Sequence, residues 1–170
     1  MFTEAVRQER SPCTRGQAYA LLTARPDNLR PLSWERNQVD VLLFERHTFT
    51  CPWTQKRISN PHEYDLDHLL PVPLYPINEL WSLLPVDKKF NQHVKRDCVP
   101  SPERLTMAQP WISLAYGTYR HSLTLNRALR EDATRRFGII PSGEAFAGAL
   151  SYCATQFIEE VASARLVARF

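Results

Sequence analysis

YDLDHLLPVPLYPINELWSLLPVDKKFNQHVKRD, residues 64–97, is the stretch whose reading decides the fold. Tyr64 and Leu66 alternate with Asp65 and Asp67, the period of a half-buried strand. Adjacent Asp67 and His68 point to opposite sides of an extended strand, so both serve one site only where the strand bends or ends. Pro71, three residues on, supplies that break. PVPLYP (71–76) is too proline-rich for regular structure. LWSLLPV (80–86) reads as a second short strand. DKKFNQHVKRD (87–97) reads as a short helix, with Asp87 at its start and Lys95 and Arg96 at its end, where the helix dipole favours each charge.

Outward from this stretch, SWERNQVDVLLFER (33–46) predicts a helix capped by Ser33, with Val39, Leu42, Leu43 and Arg46 along one side. TFTCPWT (48–54) reads as extended, and QKRISNPHE (55–63) turns the chain. Upstream, QAYALLTAR (17–25) reads as a short helix ended by Pro26, with a second break at Pro31. Beyond Pro100, residues 111–131 and 143–168 read as two longer helices. In the second, Phe146, Ala149, Leu150, Cys153, Phe157 and Val161 form an apolar stripe at helical spacing. The expected fold class is α+β. An N-terminal extension (1–32) precedes a core (33–100) with its own leading helix, and a helical C-terminal lobe (101–170) follows.

Four Trp and eight Phe among 170 residues are enough to build a core, and no run approaches the ~18–20 apolar residues needed to span a bilayer. MFTEAVRQERSPCTRG (1–16) has no apolar segment of a secretory signal, so a cytoplasmic chain with no membrane partner is expected. Cys13, Cys51, Cys98 and Cys153 include no CxxC pair, which argues against a zinc ribbon and against a disulfide framework. A net charge of +3 permits nucleic-acid binding without demanding it.

The polar residues of 64–97 form a set suited to phosphodiester cleavage. That reaction needs a base to deprotonate water, a hard cation on the scissile phosphate, and positive charge along the backbone. A histidine titrates near neutral pH, so His68 suits the base. Asp67 and Asn91 offer oxygen ligands of the kind Mg²⁺ or Mn²⁺ takes. Lys88, Lys89, Lys95 and Arg96 surround Asn91 and can meet phosphates. Asp65 shares the strand side of Asp67 and can hold a water or a basic side chain. His93 reads as a surface residue, with a third ligand position as the alternative. Arg120, Arg127 and Arg130 fall at i, i+7 and i+10, a helix face for a phosphate backbone or a solvated one.

Four ordered motifs in this region resemble the HNH endonuclease family, found among small bacterial defence nucleases and as a domain of CRISPR RNA-guided nucleases. CPWTQKRI (51–58) is similar to the family's cysteine-bearing strand, with Gln55 where the pattern has glycine. LDHLLP (66–71) and LWSLLP (80–85) are similar to the next two, with Ser82 where the pattern has asparagine. NQHVKRD (91–97) fits the closing helix. The resemblance implies a ββα-metal core with one divalent cation, His68 as general base, and Asp67 and Asn91 as metal ligands. It assigns Ser82 the place of the asparagine that orients the base. Asn78, four residues earlier, is the alternative for that role, against a plain loop-capping one. Cys51 alone falls at a place where zinc-bearing members carry cysteine pairs, so it is expected to pack as a small hydrophobe. The function implied is cleavage of DNA, with a protein partner supplying specificity or activation. The competing reading is an assembly or nucleic-acid-binding subunit with a weakened site.

Overall fold

The computed structural model describes residues 32–138, 142–165 and 167–170. The expected helix at 17–25, the breaks at Pro26 and Pro31, and Cys13 lie outside them. In chain order the elements are α1 (Ser33–Phe44), β1 (Phe49–Thr50), β2 (Arg57–Ile58), β3 (Tyr64–His68), β4 (Leu83–Asp87), α2 (Lys88–Phe90), α3 (Pro102–Tyr119), α4 (Leu123–Phe137) and α5 (Ala145–Arg165). Helix α2 continues into a wider π turn over Asn91–Lys95. The class is mixed α and β, with β1–β2 and β3–β4 forming two small antiparallel sheets among the described residues.

The alternation at 64–68 marks β3 as expected. Its register runs from Tyr64 opposite Asp87 to His68 opposite Leu83, and Leu69 N–H extends the ladder to the Ser82 carbonyl at 2.7 Å. That bond makes every second pair a hydrogen-bonded one, so Pro85, opposite Leu66, falls on a pair without hydrogen bonds. Its missing N–H therefore removes nothing from the ladder. The same alternation turns the carbonyls of Trp81 and Leu83 away from β3. Two buried tyrosines of α3 take them, Tyr116 Oη at 2.5 Å and Tyr119 Oη at 2.8 Å. All five β4 residues are buried, which suits an apolar run between a sheet partner and a helix.

Several element boundaries differ from the sequence expectation. Leu32, without a side-chain hydrogen bond, caps α1 in place of Ser33, and Arg46 leaves the helix at φ 67° as an exposed residue. Residues 80–86 begin as a single 3₁₀ turn, Leu80–Ser82, before β4. The helix expected over 111–131 is two helices, because Ser122 accepts from Leu125 N–H and starts α4 afresh. Arg120, on the α3 end, therefore shares no helix face with Arg127 and Arg130. In α5 the buried line is Phe146, Leu150, Ala154, Ile158 and Ala162, each four apart. Ala149, Cys153, Phe157 and Val161 flank it half-buried.

One apolar cluster joins all of this, running from Val39 on α1 through Trp81 and Leu84 to Ala162 on α5. The helical lobe and the strands share that core. Residues 168–170 also return to the strands' side, with Val99 N–H on the Ala168 carbonyl and Phe170 N–H on the Val99 carbonyl, each at 3.0 Å.

Candidate active site

Helix α2 lies along the acidic side of β3. Asp87 positions its start: one carboxylate oxygen accepts from Phe90 N–H at 3.0 Å, and the other pairs with Lys56 at 2.9 Å. Burial pushes the Asp87 carboxyl up, but Lys56 and the backbone donor outweigh it and hold it below the usual carboxylate range. From there the helix brings Asn91 to Asp65 and Lys95 to Asp67. Asn91 Nδ2 donates to Asp65 Oδ2 at 3.3 Å, and Gln92 Nε2 donates to the same oxygen at 3.2 Å. With its nitrogen held by a carboxylate, the Asn91 amide keeps its oxygen free for a cation.

Lys95 is the main correction to the expected phosphate contacts. Its side chain is 1% exposed, with Nζ 2.6 Å from Asp67 Oδ2 and donating to the His68 carbonyl at 2.9 Å. The contact to Asp67 is ionic, out of line for a directed hydrogen bond. A π turn explains the placement: its extra residue per turn rotates Lys95 inward, where a regular helix end would leave it in water. Burial raises the Asp67 carboxyl above its ordinary range, against the pull of Lys95. Lys88, Lys89 and Arg96 are exposed, as is His93.

His68, half-buried at the end of β3, is met from the β3–β4 loop. Its Nε2 lies 2.8 Å from Asn78 Oδ1. An amide oxygen only accepts, so in this contact Nε2 carries the hydrogen, and a neutral ring then has its lone pair on Nδ1. The side-chain hydrogen bond to His68 therefore comes from Asn78, the alternative to position 82 in the sequence reading. Ser82 is fully buried, and its hydroxyl finds no hydrogen-bond partner among the described residues. Ser82, expected as a catalytic residue, gives its carbonyl to the ladder, and its hydroxyl makes no hydrogen bond to His68. The sequence signal for Asn78 was present, an asparagine in the loop of a motif that lacks its usual one.

The donor set for a cation is sparse and hard: Asp67 Oδ1, left over from the Lys95 pair, and Asn91 Oδ1. Hard oxygens of this kind are what Mg²⁺ or Mn²⁺ takes and zinc does not prefer, but the contacts seen pair Asp67 with Lys95 and Asn91 with Asp65. Cys51 is buried in the apolar cluster, as expected of a small hydrophobe. Among the described residues no group of three or more His, Cys, Asp or Glu gathers. His47 and His121, assigned no role from sequence, stack on each other at 4.2 Å, away from these residues in the chain. No helix of the described residues is long and apolar enough to cross a membrane. No family model, no curated protein and no solved structure matches this chain.

Proposed function

We propose that this protein is a metal-dependent endonuclease of the HNH type, hydrolysing phosphodiester bonds in DNA on a ββα unit made of β3, β4 and α2. The observation that supports this reading is the His68–Asn78 hydrogen bond at 2.8 Å, while on the other side of the strand Asp67 and Asp65 meet Lys95 and Asn91 of the following helix. In the proposed reaction His68 Nδ1 takes a proton from water as the water oxygen attacks phosphorus, the P–O bond to the leaving sugar oxygen breaks, and that oxygen takes a proton from solvent. Asn78 holds the ring in the one tautomer that leaves Nδ1 free. Asp67 and Asn91 would hold Mg²⁺ or Mn²⁺, which supplies Lewis-acid stabilisation of the phosphate charge. Asp65 aims the Asn91 amide, and exposed Lys88, Lys89 and Arg96 meet the backbone phosphates. Specificity then comes from a partner, because this unit presents few groups to base edges.

The test is plasmid cleavage with Mg²⁺ or Mn²⁺. Removing a general base costs ~10²–10⁴ in rate, so His68→Ala is expected to lose nicked and linear product to that extent. Equal cleavage by parent and variant at matched metal and salt would remove the assignment. One observation favours a second reading, a binding or assembly subunit with a weakened site: Lys95 already places a positive charge on Asp67 at 2.6 Å. Calorimetric titration separates the two. A divalent site lost in Asp67→Ala supports the enzyme, and no site in the parent supports the subunit.

A further inference from the structure

Asn78 reaches His68 from a loop with little regular structure of its own, so something outside the loop must fix it. The loop folds back on Pro71, whose carbonyl accepts from Leu74 and Tyr75 N–H, both at 2.9 Å. Ile77 N–H also bonds the Tyr75 carbonyl and Ser82 N–H the Glu79 carbonyl, both at 2.9 Å, and further anchors come from the helical lobe. Arg136 on α4 reaches both sides of Asn78. Its Nη1 donates to Tyr75 Oη at 2.9 Å, and its Nε donates to Glu79 Oε2 at 3.0 Å. Its Nη2 also donates to Glu79 Oε1, so the guanidinium grips that carboxylate with two nitrogens. One turn back on the same helix, Asp132 Oδ2 accepts from Leu80 N–H at 2.8 Å. From α5, Arg165 Nη1 donates to the Leu74 carbonyl at 2.6 Å.

A single guanidinium therefore ties residues 75 and 79, and Asn78 lies between them. The tie is well enclosed, with Arg136 27% and Glu79 14% exposed. Aromatic rings surround it: Arg136 lies over Tyr75 and Phe157, and Phe157 packs edge-on against Tyr75 and Trp81. Glu79 also accepts from Trp81 Nε1, which joins the tie to the β4 end of the loop. One guanidinium bonded on both sides of a short peptide, to a carboxylate at 79 and a hydroxyl at 75, leaves Asn78 little freedom to drift from the imidazole.

We propose that Arg136, acting through Glu79, is a positioning residue for His68: the latch from the helical lobe sets where Asn78 stands, and thereby the tautomer of the ring. This rests on reading His68 as the base, but the tautomer itself is a property that can be measured without any cleavage. The helical lobe is thus part of the catalytic geometry, and a surface event that loosens α4 reaches the base through one side chain. Displacements of about 1 Å at a reacting group can cost ~10²-fold in rate.

The experiment is a long-range ¹H–¹⁵N spectrum of the full chain, at one pH where the rings are neutral, with His68→Gln assigning the His68 signals among the five histidines. The parent is expected to show Nε2–H alone. Asn78→Ala should give a mixture of tautomers, and Arg136→Gln and Glu79→Gln should move toward that mixture. Arg136→Lys, which keeps the charge and loses the fork, should fall between. Arg127→Gln, an exposed change on the same helix, should match the parent. In plasmid cleavage, Arg136→Gln should lower kcat by roughly 10-fold, as loss of an outer hydrogen-bond partner does elsewhere, with KM unchanged. Folded Arg136→Gln and Glu79→Gln proteins that keep the parent tautomer overturn the proposal. If Arg136→Gln does not fold, Glu79→Gln with the parent tautomer overturns it alone. A tautomer that shifts in a protein without cleavage leaves the latch standing and removes the nuclease. Cleavage with an unmoved tautomer in these variants does the reverse.

Discussion

Ser82 and Gln55 stand where the sequence departs from the pattern it resembles, and the structure gives each departure a physical consequence. The Ser82 hydroxyl is fully buried without a hydrogen-bond partner among the described residues, a placement that costs about 1–3 kcal/mol. Ser82→Ala is therefore expected to raise stability by about 1 kcal/mol and leave cleavage unchanged, read from urea midpoints and plasmid assays. A loss of activity in folded Ser82→Ala would return a catalytic role to that hydroxyl. Gln55 sits at φ 58°, the left-handed region where a glycine is at ease and a side chain is strained. Gln55→Gly is expected to stabilise by about 1 kcal/mol, relief of strain exceeding the added entropy of the unfolded chain. A lower melting temperature would count against that strain. Asp67, His68 and Asn91 are nominated by residue type and spacing alone, and the structure adds the partners they meet, Lys95, Asn78 and Asp65. Lys95 was misread because its fate depends on a π turn that no periodicity announces. Asn78 was left open because its reach depends on a loop held by residues more than fifty positions away, such as Asp132 and Arg136.

Strand β3 was legible from its alternation, and α2 from its charges, but the loop between β3 and β4 owes its shape to α4. The Glu79–Arg136 tie gives that loop a pH dependence. Burial pushes the Glu79 carboxyl up, yet the hydrogen bonds from Arg136 and Trp81 prevail and hold it below its ordinary value. A carboxylate with a depressed folded pKa contributes stability that is fully present above its unfolded pKa, about 4.3. The contribution is lost as pH falls through the lower folded value. Parent and Glu79→Gln should therefore differ in urea midpoint near neutral pH and converge in acid. A gap that stays constant across that range would mean the tie contributes nothing ionic. The split of the expected 111–131 helix at Ser122 has the same local origin as many boundary errors. A cap is a side-chain-to-backbone bond, and the apolar period on either side runs on as though it were absent.

The described residues share one apolar cluster, and this bears on what the C-terminal lobe does. The sequence reading kept the lobe apart from the strand unit, because a composition change at Pro100 marks a boundary in sequence while saying nothing of packing. Trp81, inside the strand motif, is fully buried and meets Phe137 of α4 and Phe157 of α5 edge-on at 5.1 and 5.6 Å. Tyr116 and Tyr119 of α3 hold the carbonyls of Trp81, in the turn before β4, and of Leu83, its first residue. The buried line of α5 is spent inside the chain, and Arg130 lies over Phe146 at 4.2 Å, which leaves Arg127 the more exposed charge on α4. A core shared in this way should unfold as one unit. Ile158, fully buried at the middle of α5, is far from His68 in sequence, and Ile158→Ala should cost about 2–5 kcal/mol. Its effect should reach the strands as fully as the helices. Urea unfolding followed by far-UV dichroism and by the His68 ring signal should give coincident transitions in parent and variant, both shifted by the same amount. Two separated transitions, with the His68 signal surviving after helix signal is lost, would show that the strand unit folds without its lobe, and the lobe would then be free to act as a separate docking arm.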